Sequence, residues 1–200
     1  MTTRRVGCTV ILALFGLMTA SAAPILILPV SLMQGLPGST VGWGYQIVND
    51  TTDYLLVNNS YFCGPGGDPQ FTTCGPNNGV PRYDGLNNFG PKYGVYTDYI
   101  AANATLIPPS SSPSQPYSFG SPGTGVGAYT IDLSAPLNSV DAGNIFVTYD
   151  AYVGNPFVAG VYDFSGSMSA AATVVVVPEP ESFSLAAIAL GVLAAWRRKG

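Results

Sequence analysis

Between residues 25 and 177 no stretch repeats its apolar residues at helical spacing, which argues against α/β folds. Alternation takes its place. In residues 145–153, Ile145, Val147, Tyr149, Ala151 and Val153 fall on one face, and Phe146, Thr148, Asp150 and Tyr152 on the other. Gly143-Asn144 opens this run and Gly154-Asn155-Pro156 closes it, both good turn chemistry. Further strands are predicted at 43–48, 54–61, 96–100 with 105–107, 117–119, 126–133 and 167–177, with Asn49 to Asp53 as a polar connection. About seven or eight short strands separated by turns give an all-β fold, an antiparallel β-sandwich. A short helix would fit only within 93–104, ending near Asn103. Residues 64–91, rich in Gly, Pro and Asn, read as a long irregular excursion, and 108–116 as an extended, solvated linker. Neither side of that linker has strands enough for its own core, so one domain is expected.

Charge narrows the function. Charged residues make up 9% of the chain, against roughly 25% in ordinary soluble proteins. Five of the seven basic residues sit at the two ends, and between 23 and 178 nine Asp face only Arg82 and Lys92, a net of about minus seven. An acidic body repels phosphate backbones, which excludes nucleic acid as a partner. The chain has no histidine, so Ser-His-Asp and Cys-His catalysis and His-bearing metal sites are all removed.

The two ends read as addresses. Arg4 and Arg5 precede an apolar run from Val6 to Leu17, followed by Ala20-Ser21-Ala22, an A-x-A-like site at which signal peptidase would cut to leave Ala23 first. The run is short of the about 20 residues needed to span a bilayer, which favours cleavage over a retained anchor. At the other end, Val174 to Val177 is followed by Pro178-Glu179-Pro180, an apolar stretch from Phe183 to Trp196, and Arg197-Arg198-Lys199. The prolines stop the strand and hold an extended segment. The apolar stretch would enter the inner membrane as a helix, with the basic residues on the cytoplasmic side.

Val177-Pro178-Glu179-Pro180, an apolar helix and a terminal Arg-Arg-Lys resemble the PEP-CTERM sorting signal of Gram-negative bacteria, over residues 177–199. The resemblance implies recognition and cleavage near Pro-Glu-Pro by a membrane protease, an exosortase, in hosts that make exopolysaccharide, biofilm or floc. Val177, Pro178, Glu179 and Pro180 would be the recognition segment, and Arg197, Arg198 and Lys199 the stop signal. The division that follows is 1–22 signal peptide, 23–176 secreted β-sandwich, and 177–200 sorting signal with its transmembrane helix. Gly42-Trp43-Gly44-Tyr45 with Asn49-Asp50-Thr51, and the strand through Val147 to Tyr152 with Asn155-Pro156-Phe157, are loosely similar to domains that precede such tails. They bring no activity with them.

Candidate chemistry is sparse. Cys63 and Cys74, the two cysteines left after signal removal, read as a disulfide closing a loop of about a dozen residues, worth on the order of 2–3 kcal/mol. A redox pair or metal thiolates are the alternatives. Asp132, Asp150 and Asp163 are the carboxylates that would have to converge for hydrolysis of a sugar bond, which needs two at about 5–9.5 Å. Asp50, Asp53, Asp68, Asp84, Asp98 and Asp141 are hard oxygen ligands suited to a structural calcium ion, without the spacing of a calcium loop. Tyr45, Tyr54, Tyr61, Tyr83, Tyr93, Tyr96, Tyr99, Tyr117, Tyr149 and Tyr152 would stack on sugars if exposed, or pack as ordinary strand residues. N-x-S/T sequons begin at Asn49, Asn58 and Asn103, as abundant Asn and Thr allow by chance.

The function expected from these features is an exported, non-enzymatic matrix component, structural or adhesive, with exopolysaccharide as a partner. It would be held briefly in the inner membrane and then sit outside the cell or on its surface. A carbohydrate-binding module is the alternative, and an Asp-dependent hydrolase the more distant one.

Overall fold

The alternating run around Tyr149 forms part of the longest hairpin in the protein. In the computed structural model, residues 22–65, 90–120 and 123–179 are described. They form β1 (Ile25–Ile27), β2 (Leu32–Gly35), β3 (Thr40–Trp43), β4 (Tyr45–Val48), β5 (Tyr54–Cys63), β6 (Gly94–Asp98), β7 (Thr105–Ile107), β8 (Ser114–Gln115), β9 (Gly127–Ile131), β10 (Val140–Val153) and β11 (Val161–Val176). One 3-10 turn, Ala101–Asn103, follows β6.

One layer is a five-stranded sheet in the order β2-β11-β10-β5-β7. Its pairs are antiparallel except for β2, which runs parallel to β11 with Leu32 opposite Thr173. Side chains alternate along a strand, so one face collects Leu55, Val57, Phe62, Ile145, Val147, Tyr149, Ala172, Val174 and Val176, all buried. Two register shifts adjust the sheet. Opposite Thr148–Tyr149 the β5 partner steps from Asn59 to Val57, and opposite Ala151–Tyr152 the β11 partner steps from Phe164 to Tyr162. Asn58 and Asp163 are therefore the extra residues.

The second layer consists of two three-stranded sheets, β1-β4-β8 and β3-β9-β6. Gly44 divides them: Trp43 pairs with Gly127, and Tyr45 with Gln115. A side chain at Gly44 would meet backbone at Gln115 and Tyr117 from 2.9 to 3.0 Å, so only glycine lets the chain change sheets there. Between the layers Trp43 stacks on Phe62 at 6.2 Å, and Tyr129 meets Phe62 edge-on at 5.5 Å. Leu26, Ile47, Ile107 and Ile145 belong to the same core cluster.

The all-β, sandwich-like expectation holds, with several differences. Eleven strands are described, because short edge strands at 25–27 and 32–35 were not anticipated and the 43–48 run splits at Gly44. Residues 117–119 form no strand, only an isolated Ser118–Thr124 bridge. Gly143-Asn144 lies within β10 rather than opening it, because the Cys63 carbonyl packs where a Gly143 side chain would stand. Val153 is exposed, since the inner face of β10 runs past the layer that covers it. The Pro-Ser segment is not a free linker: Ile47 N–H donates to the Pro113 carbonyl (3.1 Å) and Asn49 N–H to that of Ser111 (2.9 Å). Prolines give up their own donors, yet their carbonyls still accept, which suits an edge. The predicted signal and transmembrane helices lie outside the described residues, among which no helix is long and apolar enough to cross a membrane.

Candidate functional site

The sorting segment leaves the body without slack. Asn138 N–H donates to the Val176 carbonyl (2.8 Å), Val176 N–H to that of Ser139 (3.0 Å), and Val177 N–H to that of Gly35 (2.9 Å). Pro178, which has no N–H, comes next, and Glu179 is exposed. The body thus stays hydrogen-bonded to within one residue of Pro178. Pro180, Arg197, Arg198 and Lys199 lie outside the described residues, as does Ala20. Ala22 and Ala23 are exposed just ahead of β1, where a cut would leave the strand intact.

The second place where polar groups gather is near the start of β10. Asp141 is 5% exposed. Its Oδ2 accepts from Tyr129 Oη at 2.5 Å, from Lys92 N–H at 2.6 Å and from Tyr93 N–H at 3.4 Å. Tyr93 N–H also reaches Tyr129 Oη at 3.1 Å. Burial raises the carboxyl pKa above the ordinary range, and these donors partly offset it. The same burial, reinforced by the Asp141 charge, pushes the Tyr129 hydroxyl upward, so it remains a donor. A cavity of about 280 Å³ lies beside this group, lined by Gly64, Pro65, Gly90, Lys92 and Asp141 among others. Cys63, buried and disulfide-bonded, ends β5 next to it. Cys74, its expected partner, lies outside the described residues. Sequence reasoning treated Asp141 only as an oxygen ligand and passed over Tyr129, because eleven intervening residues hide the pairing.

Other polar clusters act as internal ties. Ser60 Oγ lies 2.6 Å from Asp98 Oδ1, 2.7 Å from the Val126 carbonyl and 2.9 Å from Tyr96 Oη. Through these bonds the buried serine joins the two layers. Asn49, wholly buried, donates through Nδ2 to the carbonyls of Asp53 (2.9 Å), Ile107 (3.3 Å) and Pro108 (3.0 Å). Its Oδ1 accepts from Thr51 N–H (3.1 Å) and Thr51 Oγ1 (2.7 Å). The first sequon is thus a structural hub. Asn58 donates to Asp150 (2.8 Å), and Asn103 to the Tyr99 carbonyl (3.3 Å).

Of the hydrolase carboxylates, Asp150 and Asp163 fall near each other at the loop end of the hairpin, and Asp132 falls at the other end. Asp150, tied to Asn58 and Ser165, stands nine residues along β10 from Asp141, roughly 30 Å in an extended strand. Asp132 belongs to the Asp141 end, where its charge reaches Tyr129. Asp163 is the exposed extra residue of β11. Among the described residues no three Cys, Asp or Glu side chains come together as metal ligands, and Asp68 and Asp84 lie outside them.

The tyrosines mostly pack. Tyr45, Tyr96, Tyr129 and Tyr149 are buried, while Tyr54, Tyr61, Tyr93, Tyr99, Tyr117 and Tyr152 are half-buried. Tyr83 lies outside the described residues. Tyr99 and Tyr117 stack with planes 2° apart, whereas Tyr152 and Tyr162 meet at 79°. The register sets Tyr54, Tyr152 and Tyr162 side by side across β5, β10 and β11, and the last two rings stand too steeply to each other for a flat platform.

Residues 176–199 match the PEP-CTERM protein-sorting motif. No characterised protein sequence matches the chain. Among solved structures, similarity extends to a chain from a chaperone–tip adhesin complex of CFA/I fimbriae biogenesis, at 12% identity and a TM-score of 0.30, over 76% of this chain and 56% of that one. It extends also to the class 5 fimbriae chaperone CfaA, at 13% identity and a TM-score of 0.27, over 77% and 56%. This chain spans a little over half the length of each.

Proposed function

We propose that this is an exported β-sandwich, displayed by exosortase-type processing of its tail, which serves outside the cell as a non-enzymatic structural or adhesive component of the exopolysaccharide or biofilm matrix. The observation that carries the reading is the sorting motif joined directly to the last hydrogen-bonded residue of the body. Pro178 and Glu179 stand at the boundary where a protease meets extended chain, with the folded domain upstream left complete. The disulfide of Cys63, proposed to be with Cys74, suits an oxidising compartment. The non-enzymatic reading is supported by a chain without histidine and by Asp132 standing at the opposite end of the sheet from Asp150 and Asp163.

Intact-mass spectrometry of the protein recovered separately from host membrane and medium tests it. A species starting at Ala23 and ending near Pro178–Glu181 is expected in the medium or outer surface fraction. Pro178→Ala with Glu179→Ala should trap the longer form in the membrane. A mature product that keeps Arg197-Arg198-Lys199 would refute the processing.

A further inference from the structure

The hairpin of β10 and β11 outruns its cover at the end opposite the tail. Ala151 is buried and Phe164, across from it, is 42% exposed. The next pair on that face, Val153 and Val161, is 60% and 67% exposed. The loop beyond is ordered around Asn155, whose carbonyl accepts from the N–H groups of Val158, Ala159 and Gly160 at 2.8–3.1 Å, while its Oδ1 accepts from Phe157 N–H at 2.9 Å. Gly154 supplies the left-handed turn at φ 82°. This frame holds Phe157 at 72% and Val158 at 83% exposure. A whole aromatic side chain covers about 150–250 Å², so these five residues leave on the order of 500 Å² of apolar surface. None of them carries charge, on a body whose net charge is strongly negative.

From this face we infer that the protein pairs with a second copy of itself, the inner faces of the two hairpin ends packed against each other about a two-fold axis. The sorting tail leaves the body far from it. The excursion after Cys63 and before Gly90 starts where β5 pairs with Asn144, and the tail starts where Val175 pairs with Val140. The tail lies at the far end of a sixteen-residue strand, roughly 50 Å away, and the excursion starts roughly 30 Å away. An identical apolar face is its own complement, with the exposed Asp163 next to Phe164 as the charge nearest to it in β11. Pairing here also keeps most of the two acidic bodies apart. Joining two such faces removes roughly 1,000 Å², the lower limit for a specific interface, so the dimer is weak.

The test uses protein recovered from its host. Sedimentation equilibrium between roughly 5 and 200 μM should show the mass climbing from one chain towards two. Val158→Lys, at a site too exposed to matter for folding, should weaken association about tenfold or more. Val161→Cys treated in the envelope with a short bis-maleimide should give a species of twice the chain mass, and Leu133→Cys, 85% exposed at the other end, should not. A single-chain mass throughout, a dimer indifferent to Val158→Lys, or a Val161 adduct with a different protein or none at all would each overturn the inference.

Discussion

Replacing Asn49 should cost this domain more than any surface change could. Its amide satisfies three carbonyls from Asp53, Ile107 and Pro108 and two donors from Thr51, tying the β4–β5 connection to the end of β7. Asn49→Ala removes all five bonds at a site that is wholly buried, leaving the Pro108 carbonyl its bond from Ser111 Oγ and the Asp53 carbonyl its long one from Thr51 Oγ1. Each buried unsatisfied group costs about 1–3 kcal/mol, and water reaching the half-buried members recovers part of this, so a loss of about 3–4 kcal/mol is expected. Asn49→Asp keeps the shape and separates packing from hydrogen bonding. At neutral pH a carboxylate would face three carbonyl oxygens, and the loss should equal or exceed that of alanine. Protonation relieves it. The folded-state pKa of the introduced carboxyl is therefore raised, so the Asn49→Asp variant should recover stability as pH falls and lose it as pH rises. Urea unfolding of the full chain, with Trp196→Phe so that the buried Trp43 is the reporter, measures both variants. Asn49→Asp as stable as the parent at pH 7, or Asn49→Ala losing under about 1 kcal/mol, would refute the hub.

Asp141 gives a second test with its own sign. Its folded pKa is raised by burial, so the stability it contributes is fully present below the unfolded carboxylate value and is lost as pH rises through the folded value. Asp141→Asn, which retains an acceptor for Tyr129, should flatten the dependence of urea midpoints on pH in that window. An unchanged slope would mean the carboxyl titrates as it does in the unfolded chain. Trp43→Ala should cost about 3–5 kcal/mol, because the ring is fully buried against Phe62 and Tyr96. Far-UV melting would show a smaller loss if the layers can close over the gap.

The long alternating strand was legible because one buried face and the period of a strand coincide from Ile145 to Ala151. The sorting tail was legible because its parts are consecutive. Strands β1 and β2 were not, since three or four residues between prolines show no period of their own and are fixed by pairing with β4 and β11. The sheet change at Gly44 and the Asp141–Tyr129 bond depend on close approaches between distant segments, which no local pattern announces. Asn49 stood inside both a predicted turn and a sequon. Only the arrival of Ile107 and Pro108 overhead makes it a hub. The exposure of the inner face beyond Ala151 was not legible for a related reason: alternation marks where a strand is able to bury side chains, and the length of the opposite layer decides where it does.

Strand β11 has a mechanical consequence. One of its ends continues into the tail and the other into the projecting loop, with fourteen residue pairs to β10 between them. A pull between tail and loop acts along the strand, at right angles to the hydrogen bonds of the ladder. The load then runs through the backbone of β11 itself, which is already extended, and the ladder to β10 holds it in place without having to part. A tether at the tail and a grip at the loop would turn this hairpin into a tensile element, and the domain would resist drag best in the direction in which it is held.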